Sequence, residues 1–356
     1  MDASNFSVQL DLAGSGLIKT IEGQLLQSEV DHKHIRAELY KLNVYGKSCR
    51  EIPPTVILSD ITIHPDKGAF FKAHRDTPRG TKMFGSLVVV YPTPHEGGEL
   101  VLRHRNHEWK FDANLLTASL SSPSLAYIAF YSDIEHEVLK VTSGHRVTIT
   151  YNLYLVNPES DPGAPAITPN VKDASNLQTT LGGLLKSPEF LPDGGTLGFG
   201  LVHLYPVTTR TCLQDMASYL KGEDAHVYQA CRELQLQPSL QMIYDAEAQR
   251  KYGIMLDRIV SSPDYDCHQG ETYGGALVAD FGGVFVNKYG DTDSRHSKLT
   301  RYEHDDETEY ITWVSLFDSR NQLQDISMGY GNEVSAEYIY CSPCIIVRIA
   351  AASDRV

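Results

Sequence analysis

The spacing of apolar residues predicts one helix near the N-terminus, followed by a series of short strands. Between Ser15 and Val30, apolar side chains recur every three or four residues, as in an amphipathic helix. From Ala37 to Leu155, short runs rich in β-branched and aromatic residues alternate with turns containing Gly or Pro. Such a pattern favours an antiparallel sandwich or barrel over a parallel α/β sheet. The predicted strands are Leu39–Val44, Thr55–Ile63, Phe84–Tyr91, Glu99–Leu102, Leu125–Tyr131 and Arg146–Leu155.

The second half of the chain has a mixed α/β pattern and is expected to form a domain of its own. Residues 157–173 hold several prolines among Gly, Ser and Asp, which is typical of a linker. Beyond them, Arg210–Leu236 is predicted to be helical, with a break near Lys221. Strands are predicted at Thr196–Tyr205, Gly275–Asn287, Tyr310–Leu316 and Tyr338–Ala350. We therefore expect a first domain over 1–156, a linker over 157–173 and an accessory domain over 174–356.

Composition and charge narrow the classes of partner. The chain carries 31 Lys and Arg against 45 Asp and Glu, a formal net charge of −14, so its surface should repel nucleic acid. No apolar run approaches the length of a membrane span, and Met1–Gly16 lacks the pattern of a signal peptide. The six cysteines are too few for a disulfide scaffold. We expect no nucleic-acid or membrane partner and a cytoplasmic location, with the nucleus left open.

The candidate chemistry starts from a His-x-Asp triplet, His74-Arg75-Asp76. On a strand, residues i and i+2 project from the same face, so this imidazole and this carboxylate can point at one metal ion. A second histidine from a distant strand, His136, would complete a face of two histidines and one carboxylate. Non-haem Fe(II) oxygenases use this ligand set and keep the other positions of the octahedron open.

A His-x-Asp triplet by itself is weak support. A second one, His304-Asp305-Asp306, lies in a charged segment with no histidine after it, and we assign it no metal. The residues of the first triplet also have ordinary alternative explanations: His74 and His136 as surface histidines, and Asp76 as the cap of a turn. The order in which the three residues and their further partners occur favours the metal site.

The further partners are Arg146 and Thr148, which follow His136 by ten and twelve residues. The run from Gly144 to Tyr151 alternates as a strand does, so these two side chains should share one face. A guanidinium grips a carboxylate through two hydrogen bonds, and a threonine hydroxyl can add a third. We predict that Arg146 and Thr148 bind the far carboxylate of 2-oxoglutarate.

Several stretches of the chain resemble the prolyl 4-hydroxylase-like family of 2-oxoglutarate/Fe(II) dioxygenases, in particular its fungal-type, microbial and plant cytosolic members. The specific likeness covers about residues 37–155, and the likeness over 158–356 is looser. One departure concerns Arg146, since collagen-type members have Lys at this position. The matching stretches are 39–42, 68–78, 84–90, 96–100, 129–138 and 143–153.

The resemblance implies a mainly β (α+β) fold, with a double-stranded β-helix (jelly-roll) catalytic core, flanking helices and a C-terminal mixed α/β extension that could be a degenerate second jelly roll. It implies Fe(II), 2-oxoglutarate and O2 as cofactors and co-substrates, with ascorbate in support. The expected reaction hydroxylates an unidentified substrate, a protein side chain or a small molecule. Two alternatives stay open: a non-catalytic jelly-roll scaffold that retains the metal site, and a zinc or metal-independent cupin-type enzyme.

Residues 46–65 depart from the family pattern, in which the strand ending at Tyr45 continues almost directly into the segment before His74. Codons for Gly46-Lys47-Ser48 and His64-Pro65-Asp66 can contain splice-donor and splice-acceptor sequences. The segment is therefore either a retained intron or a genuine insertion. A transcript joining Tyr45 directly to Asp66 would establish the intron, and its absence would establish the insertion.

Overall fold

A computed structural model describes residues 10–26, 34–46, 61–64, 70–80, 82–122, 124–156, 176–245, 252–260, 273–287, 308–315, 317, 319–330 and 334–355. The chain divides into two compact units, Met1–Ile167 and Thr168–Val356. This division lies within the segment expected to be a linker, and residues 157–173 themselves lie outside the described residues. The prediction of a mainly β fold is confirmed.

The first unit begins with a helix and continues almost entirely as strands. The predicted helix at Ser15–Val30 is present as Leu17–Leu25, and residues 27–30 lie outside the described residues. The described helices of this unit are α1 Leu17–Leu25 and α2 Ala113–Thr117, and its described strands are β1 His34–Gly46, β2 Ile61–His64, β3 Phe71–His74, β4 Met83–Val90, β5 His95–Gly97, β6 Leu100–His104, β7 His107–Phe111, β8 Ala126–Tyr131, β9 Glu135–Val138 and β10 Val141–Val156.

These strands form two sheets. The larger sheet has the order β2-β1-β10-β4-β8, with β5 also paired to β10, and the smaller has the order β3-β9-β6-β7. Strand β4 lies between β10 and β8 and is buried along its whole length, and its run of three valines suits that position. One hydrophobic core takes Val88 and Phe130 from the larger sheet and Leu100, Leu102 and Val138 from the smaller. The two sheets therefore pack as a sandwich, consistent with a jelly roll.

The segment that departs from the family pattern is described only in part. Residues 47–60 and 65 lie outside the described residues. Residues Ile61–His64 form β2, which pairs in parallel with β1, with Leu42 opposite Ile61 and Tyr45 opposite His64. The other pairings in this sheet are antiparallel. Both explanations of the segment, a genuine insertion and a retained intron, stay predictions.

The second unit combines helices with one sheet. The described strands have the order β14-β13-β12-β17-β11-β15, with β16 also paired to β17. Pairing is antiparallel except between β11 and β15. No helix in the described parts of the chain is long and apolar enough to span a membrane. The elements are α3 Asn176–Lys186, β11 Gly195–Gly200, α4 Leu213–Met216, α5 Gly222–Glu233, β12 Ser239–Asp245, β13 Tyr252–Leu256, α6 Tyr273–Ala279, β14 Val284–Asn287, β15 Ile311–Ser315, β16 Leu323–Tyr330 and β17 Val334–Ile349.

One strand prediction in this unit is wrong over most of its length. The run Gly275–Asn287 was expected to be a strand, but residues 273–279 are helical and the strand begins only at Val284. A short apolar run such as the one from Ala276 to Ala279 fits a buried helix as well as a strand. Ala276 and Leu277 are buried, and Gly282 takes a positive φ of 73° in the turn that separates helix from strand.

Candidate metal centre

Strand pairing brings the two predicted histidines together. In the smaller sheet β3 and β9 are antiparallel, and His74 lies directly opposite His136. Their ring centroids are 4.2 Å apart. Asp76 lies just beyond the end of β3, where its backbone N–H donates to the carbonyl of Ser132 at 3.1 Å. Of the triplet, only His74 is therefore on the strand, yet the carboxylate of Asp76 still faces both imidazoles.

The distances between the three side chains suit a shared ion. Asp76 Oδ1 lies 4.0 Å from Nε2 of His74 and 3.8 Å from Nε2 of His136. These separations are too long for hydrogen bonds. All three ligand atoms lie within 4.8 Å of one another, so they can converge on one metal ion.

Backbone carbonyls orient both imidazoles. Nδ1 of His74 lies 2.9 Å from the carbonyl oxygen of Lys72, and Nδ1 of His136 lies 3.0 Å from that of Ile134. A carbonyl can only accept, so Nδ1 carries the proton and the lone pair of Nε2 faces Asp76. Burial lowers the pKa of His136, which favours the neutral form that binds metals. Outer hydrogen bonds of this kind commonly support metal-binding histidines.

The carboxylate of Asp76 is held in a similar way. Ser86, on β4 of the facing sheet, donates its hydroxyl to Asp76 Oδ2 at 2.5 Å. Oδ1 is the oxygen that faces the histidines. Sequence reasoning missed Ser86, since the alternation along β4 does not show which residue of the other sheet each side chain meets.

Arg146 and Thr148 lie on β10 and are almost fully buried, with exposed fractions of 2% and 1%. Burial lowers the pKa of Arg146, but a guanidinium stays charged at physiological pH. Its Cζ lies 5.6 Å from the ring centroid of Tyr45. Among the described residues, no carboxylate lies within ion-pair distance of Arg146. A buried guanidinium that has no paired carboxylate among the described residues is suited to bind an anion.

Gly98 leaves space for the side chain of Arg146 because it has no Cβ atom. A Cβ atom on Gly98 would lie 2.8 Å from Cδ of Arg146 and 2.8 Å from Cγ2 of Val141. Gly98 also has a φ of 78°, which side chains with a Cβ rarely adopt. The sequence alone does not show this steric role of Gly98 beside Arg146.

All five predicted site residues line one cavity of about 340 Å³ within the first unit. This volume lies in the range of small-molecule sites. Arg79 and Met83 also line the cavity, whereas residues 104–109 take no part in the lining. Residues 104–109 belong to the hairpin formed by β6 and β7, which lies on the far side of β9 from β3.

Part of the first unit matches a known protein family. Residues 60–154 match the model of the 2OG-Fe(II) oxygenase superfamily. This oxygenase region is a little over a quarter of the chain and contains His74, Asp76, His136, Arg146 and Thr148. The match supports the superfamily that the motifs indicate, and it leaves the fungal-type subgroup a prediction.

Solved structures with some similarity to the chain include three oxygenases. A 2OG-Fe(II) oxygenase family protein from Burkholderia pseudomallei is 19% identical, with TM-score 0.20, over 24% of this chain and 37% of its own. A prolyl-4-hydroxylase from Pseudomonas putida is 19% identical, with TM-score 0.22, over 40% and 64%. A Trichoplax adhaerens prolyl hydroxylase, in complex with a hypoxia-inducible-factor peptide fragment, is 22% identical, with TM-score 0.18, over 25% and 40%.

The match covers less than two thirds of each of these three chains, and TM-scores this low carry no argument about the fold. No curated protein matches the chain at a significant level. The case for function therefore depends on the oxygenase region and on the geometry of the site.

Proposed function

We propose that this chain is an Fe(II)- and 2-oxoglutarate-dependent dioxygenase that hydroxylates a protein side chain or a small molecule. One observation carries the proposal: two oriented histidines, a carboxylate and a buried arginine line the same cavity, and no carboxylate of the described residues is paired with that arginine. The family match over residues 60–154 supports the same chemistry.

The donor set fits iron(II). His74, Asp76 and His136 would hold the metal through Nε2, Oδ1 and Nε2, the combination that leaves positions open for a keto acid and O2. When bound, Fe(II) would supply the oxidising chemistry in which a substrate C–H, O2 and 2-oxoglutarate become C–OH, succinate and CO2. A zinc site with additional histidine ligands is less well supported, since the cluster formed by these described residues contains two histidines.

The co-substrate would bind deeper in the cavity. The Arg146 guanidinium and the Thr148 hydroxyl would hold the far carboxylate of 2-oxoglutarate, so that its keto-acid end faces the metal ligands. Folding already removes water from the guanidinium of Arg146, so binding of a carboxylate does not have to desolvate it again. The carboxylate can then form strong charge-assisted hydrogen bonds with the guanidinium.

Apolar side chains pack against both histidines and leave His136 the less exposed of the two, at 10% of its side-chain surface against 34% for His74. The Phe71 ring lies 4.3 Å from that of His74, and the Phe130 ring lies 4.8 Å from that of His136. Leu100 and Val138 complete this wall of the cavity. Exclusion of water strengthens the electrostatic interactions inside the site and protects reactive species from side reactions.

The second unit is proposed to be an accessory domain. The groups that would hold the metal and the keto acid belong to the first unit. Its candidate roles are the binding of a protein substrate and dimerisation.

The function is tested by succinate formation from 2-oxoglutarate in the absence of an added substrate. The wild-type protein, purified without oxygen, is supplied with Fe(II), ascorbate and 2-oxoglutarate and then exposed to air. We expect slow succinate formation that requires both iron and oxygen and stops when zinc replaces iron. A folded protein that binds neither Fe(II) nor 2-oxoglutarate would instead favour a non-catalytic scaffold.

A further inference from the structure

The cavity contains more positive charge than the proposed chemistry uses. Besides Arg146, it is lined by Lys41, Arg75 and Arg79, whereas Asp76 is the one carboxylate among the described residues that line it. This local excess of cations contrasts with the net charge of −14 of the whole chain. A cleft lined by one sign of charge concentrates ligands of the opposite sign.

The three additional cations are not equivalent. Arg75 donates to Glu135 Oε2 at 3.0 Å, so its charge is already paired. Within the described residues, neither Lys41 nor Arg79 has a carboxylate within ion-pair distance. These two side chains are the ones available to an anionic ligand.

Lys41 and Arg79 are both held against one aromatic ring, that of Tyr40. Cζ of Arg79 lies 4.3 Å from its centroid, and Nζ of Lys41 lies 5.8 Å from it. Contact with the ring limits the freedom of each long side chain while its charge stays available. Three residues thus form a small cationic group at the cavity, which we call the Tyr40 cluster: Tyr40, Lys41 and Arg79.

A β-bulge builds this cluster. In a regular strand, consecutive side chains point to opposite faces, so Tyr40 and Lys41 could not both line one cavity. The pairing of β1 with β10 shifts at this point: Leu39 pairs with Tyr151 and Lys41 pairs with Thr150, which leaves Tyr40 as the extra residue. Bulges of this kind redirect side chains and occur often beside active sites.

We propose that the primary substrate carries an anionic group, a carboxylate or a phosphate, which the Tyr40 cluster binds. This inference rests on the proposed function, because it takes the metal and Arg146 to be occupied by the cofactor and co-substrate. Arg79 supplies a planar pair of donors, and Lys41 supplies a charge on a flexible stem. The polar side chains of Asn43, Thr150 and Asn152 also line the cavity and can bind uncharged parts of the substrate.

The test measures binding rather than turnover. Inorganic phosphate, capped glutamate (N-acetyl-glutamate-N-methylamide) and its uncharged glutamine counterpart are titrated calorimetrically into wild-type protein with excess 2-oxoglutarate, at constant ionic strength. The same titrations are made with the double variant Lys41→Gln/Arg79→Gln and with Arg36→Gln. Arg36 is a matched control: it lies on the same strand and over a tyrosine ring, but it is paired with Glu38 and does not line the cavity.

We expect phosphate or capped glutamate to bind the wild type and the glutamine counterpart to bind more weakly. The double variant should lose at least about tenfold in affinity, the effect of one lost hydrogen bond to a charged group, and Arg36→Gln should lose none. Which anion binds more tightly distinguishes a phosphate from a carboxylate substrate.

The proposal is overturned if neither anion binds the wild type, if the glutamine counterpart binds equally well, or if the folded double variant keeps full affinity. Binding of 2-oxoglutarate is measured first in the same cell. Its absence would contradict the proposed function, while the anion titrations would still report on the Tyr40 cluster.

Discussion

Replacing His136 with alanine is expected to lower iron-dependent succinate formation by more than about a hundredfold. Loss of an outer hydrogen-bond partner typically costs 10- to 100-fold in metal affinity or activity, and loss of a ligand should exceed that. His136 is the better buried of the two histidines, so water replaces its Nε2 poorly. The measurement pairs the rate of succinate formation with the iron content of the folded variant.

Two further variants make this prediction specific. Ser86→Ala removes only the hydrogen bond that orients Asp76, and it should reduce activity by an intermediate factor of about 10 to 100. His107→Ala removes an exposed histidine of the same sheet, outside the cavity, and should leave activity unchanged. Equal activity in His136→Ala and His107→Ala, with iron still bound, would contradict the assignment of His136.

Replacing Arg146 with glutamine is expected to raise the half-saturating concentration of 2-oxoglutarate by about a hundredfold or more. Two hydrogen bonds to a charged group, each contributing about 1.5–3 kcal/mol, are lost together. Arg146→Lys keeps the charge but loses the paired geometry, so a smaller increase is expected. Iron content should stay normal in both variants, because the guanidinium does not contact the metal ligands. An unchanged half-saturating concentration in Arg146→Gln would remove Arg146 from the co-substrate site.

Gly98→Ala provides an indirect test of the same site, because its Cβ would displace Arg146 while the charge is retained. The half-saturating concentration of 2-oxoglutarate should rise here too. Gly282→Ala is the matched control, with a similar positive φ of 73° but no atom of the described residues within 4 Å of the new Cβ. It should cost only backbone strain, about 1–2 kcal/mol of stability, and should not alter the co-substrate dependence.

Much of the candidate site could be predicted from the sequence, because it depends on local spacing. The alternating pattern around Arg146 and Thr148 predicted that both side chains lie on one face of a strand. The spacing of His74 and Asp76 predicted that these two ligands point in the same direction. The orienting groups could not be predicted in this way. Ser86 reaches Asp76 only through the packing of two sheets, and Tyr40 enters the cavity only because β1 has a bulge. Such features depend on the register between strands that are distant in sequence.

The fold follows a similar division. The buried run of β4 was predicted within one residue of its observed bounds, and the predicted strand Arg146–Leu155 covers most of β10, which begins earlier, at Val141. The polar strand β7 was not predicted. Its sequence, His107-Glu-Trp-Lys-Phe111, is too rich in polar and charged residues to indicate a strand, although it pairs with β6. Helix α6 was predicted as a strand because a short apolar run carries no period. Tertiary packing decides these segments.

The central claim is that His74, Asp76 and His136 bind Fe(II) in a cavity that also binds 2-oxoglutarate. The most direct measurement is the visible absorption spectrum of the wild-type protein, loaded without oxygen with one equivalent of Fe(II) and titrated with 2-oxoglutarate. Chelation of Fe(II) by the keto acid predicts a charge-transfer band that grows to saturation and is absent with zinc. A folded protein that shows no such band at any 2-oxoglutarate concentration would contradict the account.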